Sequence, residues 1–182
     1  KLENKDSEKA EKKLSFKSKL ETIRLLGIEK KIEEGKNLAL GLENPEEKYH
    51  ALFELARSLD RLQELKSRED SVNIYLIIVT DAPKSNTTRL RSLWAISHLL
   101  YRMNDFTISL HFLSEILKNH KESEYYDNAI YLCGQIFEKP WSGRDKEKAR
   151  NYYETFLKKE FEENFQKSEY LEEVRQKVNE IL

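Results

Sequence analysis

The chain has 182 residues, 38% apolar and 36% charged, with only 5 Gly and 3 Pro. That length can bury a real core as one domain, and so few turn residues among so many strong helix formers exclude a compact β fold. The 32 basic and 33 acidic side chains leave a formal net charge of −1, which excludes a general nucleic-acid or membrane-surface binder.

Residues 1–19 carry seven Lys against Glu3, Asp6, Glu8 and Glu11. Their first part holds too few apolar side chains to offset the entropy of ordering, so a charged, flexible N-terminal segment is expected. Such a segment suits a spacer from an anchor or an upstream domain. The chain starts at Lys1 rather than Met, which leaves room for a removed signal or lipid anchor upstream. The longest strongly apolar run, residues 75–79, is far too short to span a bilayer.

Residues 20–44 read as an N-terminal helix. Leu20, Ile23, Leu26 and then Leu25, Ile28 and Ile32 fall near helical spacing, followed by Leu38, Leu40 and Leu42. The pattern extends over about 14–42, with a break at Gly35 or an end near Gly41. Asn44-Pro45 then signals a new helix start.

Three helix pairs follow over residues 45–167. In the first, Leu52, Leu55, Ala56, Leu59 and Leu62 form one stripe. Its second helix begins near Ser67 or Asp70 as cap and carries Val72, Tyr75, Leu76, Ile78 and Val79. The second pair starts after Thr87, with Leu93, Ile96, Ser97 and Leu100 inward. It turns at Asn104-Asp105 and returns through Phe106, Ser109, Leu110, Leu113, Ile116 and Leu117. The third starts near Ser123 with Ile130, Cys133, Gly134 and Phe137. After a longer turn with Pro140 and Gly143, it returns through Ala149, Tyr152, Tyr153, Phe156, Leu157 and Phe161. Residues 168–182 read as a capping helix, with Ser168 at its start. Tyr170, Leu171, Val174, Val178, Ile181 and Leu182 give that helix one apolar face.

The pairs share a plan. Ala56, Ser97 and Gly134 lie 41 and then 37 residues apart, and a second small residue, Ser71, Ser109 or Ala149, follows after 15, 12 or 15. Small residues at such points let two helix backbones approach. Four residues later come Tyr75, Leu113 and Tyr153. At these positions the chain resembles the tetratricopeptide repeat (TPR) family, a helix–turn–helix unit of about 34 residues. Pro83 stands where the family has its closing proline, while Lys121 and Phe161 depart from it, and Leu52, Leu93 and Ile130 replace its early aromatic. The third copy with its charged cap also resembles repeats of bacterial envelope proteins, including outer-membrane assembly lipoproteins. The resemblance implies an all-α, right-handed solenoid of about three helical-hairpin repeats, with an N-terminal helix and a C-terminal cap.

Counting about 100° per residue from each small residue, offsets −6, −3, +1, +4 and +5 form a stripe beside the core face. In the resembled family this stripe lines a concave groove for partner peptides. It comprises His50, Phe53, Arg57, Asp60 and Arg61, then Arg91, Trp94, His98, Tyr101 and Arg102, then Asn128, Tyr131, Gln135, Glu138 and Lys139. Trp, Tyr and Arg are the commonest binding anchors. Arg57, Arg61, Arg91, Trp94, His98, Tyr101, Arg102, Asn128 and Tyr131 are therefore the expected partner-binding residues, for a protein segment of acidic character. The bland reading of the same stripe is that the N-terminal helix folds over it.

His50 with Glu54 and His111 with Glu115 have metal-ligand spacing, but a site needs a third ligand, and such pairs arise by chance in a chain this rich in Glu. No H-E-x-x-H, G-x-G-x-x-G, Walker loop or nucleophile elbow occurs. Cys133, the single cysteine, sits on the core stripe as a small hydrophobe. Trp141, in the long turn, packs over the next helix or makes an exposed contact. The expectation is a non-catalytic protein-interaction scaffold without cofactor or metal. The alternatives are a structural or assembly subunit of a bacterial envelope complex, tethered through its N-terminus and periplasmic or envelope-associated rather than cytoplasmic, and a metal-binding protein or enzyme.

Overall fold

Asn44 starts the first hairpin as the sequence predicts. Its side chain accepts hydrogen bonds from the backbone N–H groups of Glu46 (2.9 Å) and Glu47 (3.4 Å), and Pro45 supplies the first helical residue. This computed structural model describes residues 2–180, with side chains from Ser15 onward except Asn164. Lys1, and Ile181 and Leu182 of the expected apolar face, lie outside the described residues, as do the side chains of the charged segment through Leu14.

The described residues are helical, without a strand, in elements that pack in neighbouring pairs. They are α1 (Leu2–Ile28), α2 (Ile32–Leu40), α3 (Pro45–Asp60), α4 (Leu65–Asp81), α5 (Thr87–Arg102), α6 (Phe106–Asn119), α7 (Tyr126–Glu138), α8 (Lys146–Leu157), α9 (Glu163–Gln166) and α10 (Leu171–Glu180). The chain divides into two compact units, Lys1–Ser92 and Leu93–Leu182. Helices that pack chiefly on their sequence neighbours build local cores.

In the first unit α3 packs on α1, α2 and α4. The N-terminal region forms two helices, not one. The break falls at residues 29–31, where Lys30 takes φ 59°, and not at Gly35. Gly35 lies inside α2 because a Cβ there would meet Leu55 Cδ1 at 2.9 Å, while Gly41 does end α2. Gly27 plays the same part on α1, where a Cβ would come to 2.9 Å from Ser58 Cβ. Residues 75–79 are helical, with Ile74, Tyr75 and Ile78 buried. Helix α4 starts at Leu65, so Ser67 and Asp70 sit inside it rather than capping it. Pro83 stops it by holding Ala82 extended at ψ 141°. The cap of α5 is Asn86, whose side chain accepts from Arg89 N–H at 3.0 Å, and not its neighbour Thr87.

In the second unit Asn104 takes φ 62° and Asp105 caps α6, accepting from Ile108 N–H at 3.4 Å. Asp145 caps α8 through Lys148 N–H at 3.0 Å. The core beyond α7 gathers Tyr126, Ile130, Tyr131, Ala149, Tyr153, Phe156, Phe165 and Val174. Helix α8 ends at Leu157, short of the expected Phe161, which stands 82% exposed while Phe165 of α9 turns inward. Ser168 precedes α10, accepting from Tyr170 N–H at 3.4 Å. No helix among the described residues is long and apolar enough to cross a membrane.

The paired small residues meet. Ser71 Oγ of α4 donates to the Ala56 carbonyl of α3, and Ser109 Oγ of α6 donates to the Ser97 carbonyl of α5, both at 2.8 Å. All four are buried. In the third pair the Tyr153 ring lies on Gly134, where any Cβ would overlap it.

Candidate functional site

Position −3 of each stripe faces the start of the next first helix. The Arg91 guanidinium lies 4.4 Å over the Phe53 ring. Trp94 stacks on Tyr125, just before α7, with centroids 6.2 Å apart. Tyr131 stacks on Tyr170, just before α10, at 4.0 Å and 10°. The last of these is a close, nearly parallel stack. Tyr131 is buried by it, and burial, then a hydrogen bond to Glu173, push its phenol well above the ordinary tyrosine range. The Tyr170 phenol rises to about 12, mainly through burial and then through Glu169.

What stays open lies at +1, +4 and +5. In the second unit His98 and Tyr101 at these positions belong to a ladder of rings that starts at Trp94 and runs over the buried Phe106 to Trp141. Trp94 stacks on His98 (5.7 Å, 27°), His98 on Tyr101 (6.4 Å, 27°), Tyr101 meets Phe106 (5.9 Å), and Phe106 meets Trp141 (5.4 Å). His98 is exposed, and Trp94, Tyr101 and Trp141 are half-buried. Trp141 is held by an Nε1–H bond to the Ile136 carbonyl at 2.8 Å and by Gly143, which leaves room for its ring. The exposed Lys139 places its ammonium 5.6 Å from the Tyr101 centroid. Arg102 is half-buried at the C-terminal end of α5.

The helix period identifies Trp94, His98, Tyr101 and Arg102 as neighbours. It misses Tyr125, Phe106 and Trp141, which arrive from two turns and the next helix. Asn128, half-buried, sits apart from the ladder in a shallow cleft with Asp127, Ser168 and Glu169. Burial raises the Asp127 carboxyl despite its bond to Ser168.

In the first unit the stripe lies beside α1. Phe16 meets His50 edge-on at 6.0 Å. The Glu54 carboxylate is buried between Arg24 Nε (2.9 Å) and Arg57 Nη1 (3.7 Å). Arg57 and Arg61 remain exposed. His50 and Glu54, spaced for a metal, are thus engaged with Phe16 and with two arginines. Among the described residues no three His, Cys, Asp or Glu side chains converge as ligands.

The ladder is a preformed aromatic surface with the Lys139 ammonium beside it. A comparison with protein-family models, with curated proteins and with solved structures finds no match for the chain.

Proposed function

We propose that this chain is a non-catalytic protein-interaction scaffold, a TPR-like right-handed stack of helical hairpins, that binds a partner segment along the ladder on α5. The observation that carries this reading is the unbroken ring contact from Trp94 through His98 and Tyr101 to Phe106 and Trp141. Large side chains already fixed against one another lose little rotamer entropy when a partner covers them, so more of the contact appears as affinity. Trp and Tyr are also the residue types that most often dominate binding energy. Lys139 and Arg102 favour a segment with carboxylates beside its apolar residues.

A photo-crosslinking residue placed at His98 tests this in the cell of origin. Its side chain is exposed, so a probe there reaches a partner that covers the ladder. A control residue goes at Ile108, exposed on α6. The expected outcome is one crosslinked protein from position 98, absent from 108 and lost in Tyr101→Ala. The same products from both positions, or none from 98, would reject the ladder as the binding surface.

A further inference from the structure

Leu25 and Ile28 project from α1 at 57% and 54% exposure, away from Leu20, Ile23 and Gly27, the buried face of that helix. They form one wall of a cleft of about 420 Å³ whose other wall is Arg57 and Arg61 of α3, with Arg24, Glu21, Glu54 and Ser58 completing the lining. The floor is tight because Gly27 lets α1 approach Ser58.

The charges in the cleft do not balance. Glu21 and Glu54 face Arg24, Arg57 and Arg61. Both carboxylates are taken up by Arg24, at 2.6 and 2.9 Å, and Glu54 is buried, with only a 3.7 Å contact left for Arg57. A guanidinium carries five N–H donors, so the outward side of Arg57 has donors to spare. No ion pair among the described residues engages Arg61.

Both walls repeat at helical spacing, Leu25 with Ile28 and Arg57 with Arg61. A ligand that matches both must present apolar groups and carboxylates at the same repeat, on adjacent faces. That describes an amphipathic helix laid into the groove.

We propose that the α1–α3 cleft docks an acidic amphipathic helix of a partner protein. Its apolar residues sit on Leu25 and Ile28, and its carboxylates bind Arg57 and Arg61. The cleft shares no lining residue with the ladder, and this proposal does not depend on it.

The test uses the full chain and a fluorescent, hydrocarbon-stapled peptide of about 15 residues, stapled because isolated helices of that length are marginal in water. The peptide carries Leu at i and i+3 and Glu on the adjoining face. A second peptide carries Lys for Glu, and vesicles rich in phosphatidylglycerol form a third arm. The Glu peptide is expected to bind at least about tenfold more tightly than the Lys peptide. Leu25→Ser with Ile28→Ser, and Arg57→Glu with Arg61→Glu, should each weaken it about tenfold or more. The arginine double variant should now prefer the Lys peptide. All four residues are exposed, and circular dichroism checks that each variant folds before binding is compared. His98→Ala should change nothing here, which keeps failure of the ladder distinct from failure of this cleft. No binding of the Glu peptide, equal binding of both peptides, or arginine-dependent binding of vesicles alone would overturn the proposal.

Discussion

The Ser109 hydroxyl donates a 2.8 Å hydrogen bond to the backbone carbonyl of Ser97, one helix away and fully buried. Ser71 makes the same bond to Ala56 in the preceding hairpin. A hydroxyl needs little room, so one small residue on each helix brings the backbones close and also ties them. The Ser97 hydroxyl itself turns back to the Leu93 carbonyl at 2.6 Å, so no polar side-chain atom is stranded at the contact.

Ser109→Ala should therefore cost about 1 kcal/mol, the net worth of one such bond. Ser109→Leu should cost more, about 1–3 kcal/mol, because it forces a large side chain into a filled space. Urea unfolding checks both. The midpoint should fall while the denaturant slope stays constant. Ser71→Ala and Ser71→Leu should behave alike, since the geometry is repeated.

The third hairpin closes differently. Gly134 accepts the face of Tyr153, whose hydroxyl donates to Glu138 at 2.8 Å, and Lys177 of α10 reaches the same carboxylate at 3.2 Å. The ring is anchored at its far end and cannot swing aside cheaply. Gly134→Ala should destabilise by about 1–3 kcal/mol, although alanine is the better helix former. A double variant with Tyr153→Leu should regain part of the loss seen relative to Tyr153→Leu alone. That non-additivity, read in a double-mutant cycle, identifies the ring as the cause.

Much of this was legible before any coordinates. Ala56, Ser97 and Gly134 stand out because hairpins need small residues where backbones meet, and Asn44-Pro45 because it signals a helix start, whereas Asn104-Asp105 reads only as a turn and its cap emerges from the hydrogen bond to Ile108 N–H. The turn at Lys30 was not legible, because a lysine with φ near 60° carries no signature in its type. Gly35 misled for the opposite reason. It resembles a helix breaker, yet it serves close packing on Leu55 inside α2. Asn86 and Thr87 are both good caps, and only the hydrogen bond to Arg89 N–H decides between them. The stripe of candidate residues follows from helical period alone. Period cannot say which members the next hairpin covers, so Trp94 and Tyr131 looked equivalent. Tyr170 buries one, whereas His98 leaves the other at the edge of an open ladder.

Alkaline stability should report on the third hairpin. Burial, with the Cys133 thiol adding to it, pushes the Tyr152 phenol up to about 12, and Tyr170 is likewise raised to about 12. Both therefore hold their protons longer in the folded chain than in the unfolded one. Their stabilising contribution is complete below the ordinary tyrosine value of 10.0 and is lost as pH rises from there through about 12. The thermal midpoint should fall over that window, and less steeply in Tyr152→Phe. Absorbance at the tyrosinate band should show a late-titrating fraction that disappears in denaturant.

The same hairpin makes a prediction about its thiol. Cys133 is buried on α7, and burial outweighs its bond to Tyr152 and drives the thiol up to about 12. The thiolate is the reactive form, so at pH 8 the folded chain offers almost none, and the reagent must also wait for α7 and α8 to part. Reaction with a chromogenic disulfide should be slow in buffer and rapid in denaturant. Gly134→Ala, which forces Tyr153 away from α7, should raise the rate in buffer, because it lowers the free energy of opening at the adjacent residue. Ser71→Ala, in the other unit, should leave it unchanged at matched global stability. If Cys133 instead reacts at once in the native wild type, the tight α7–α8 contact described here is wrong.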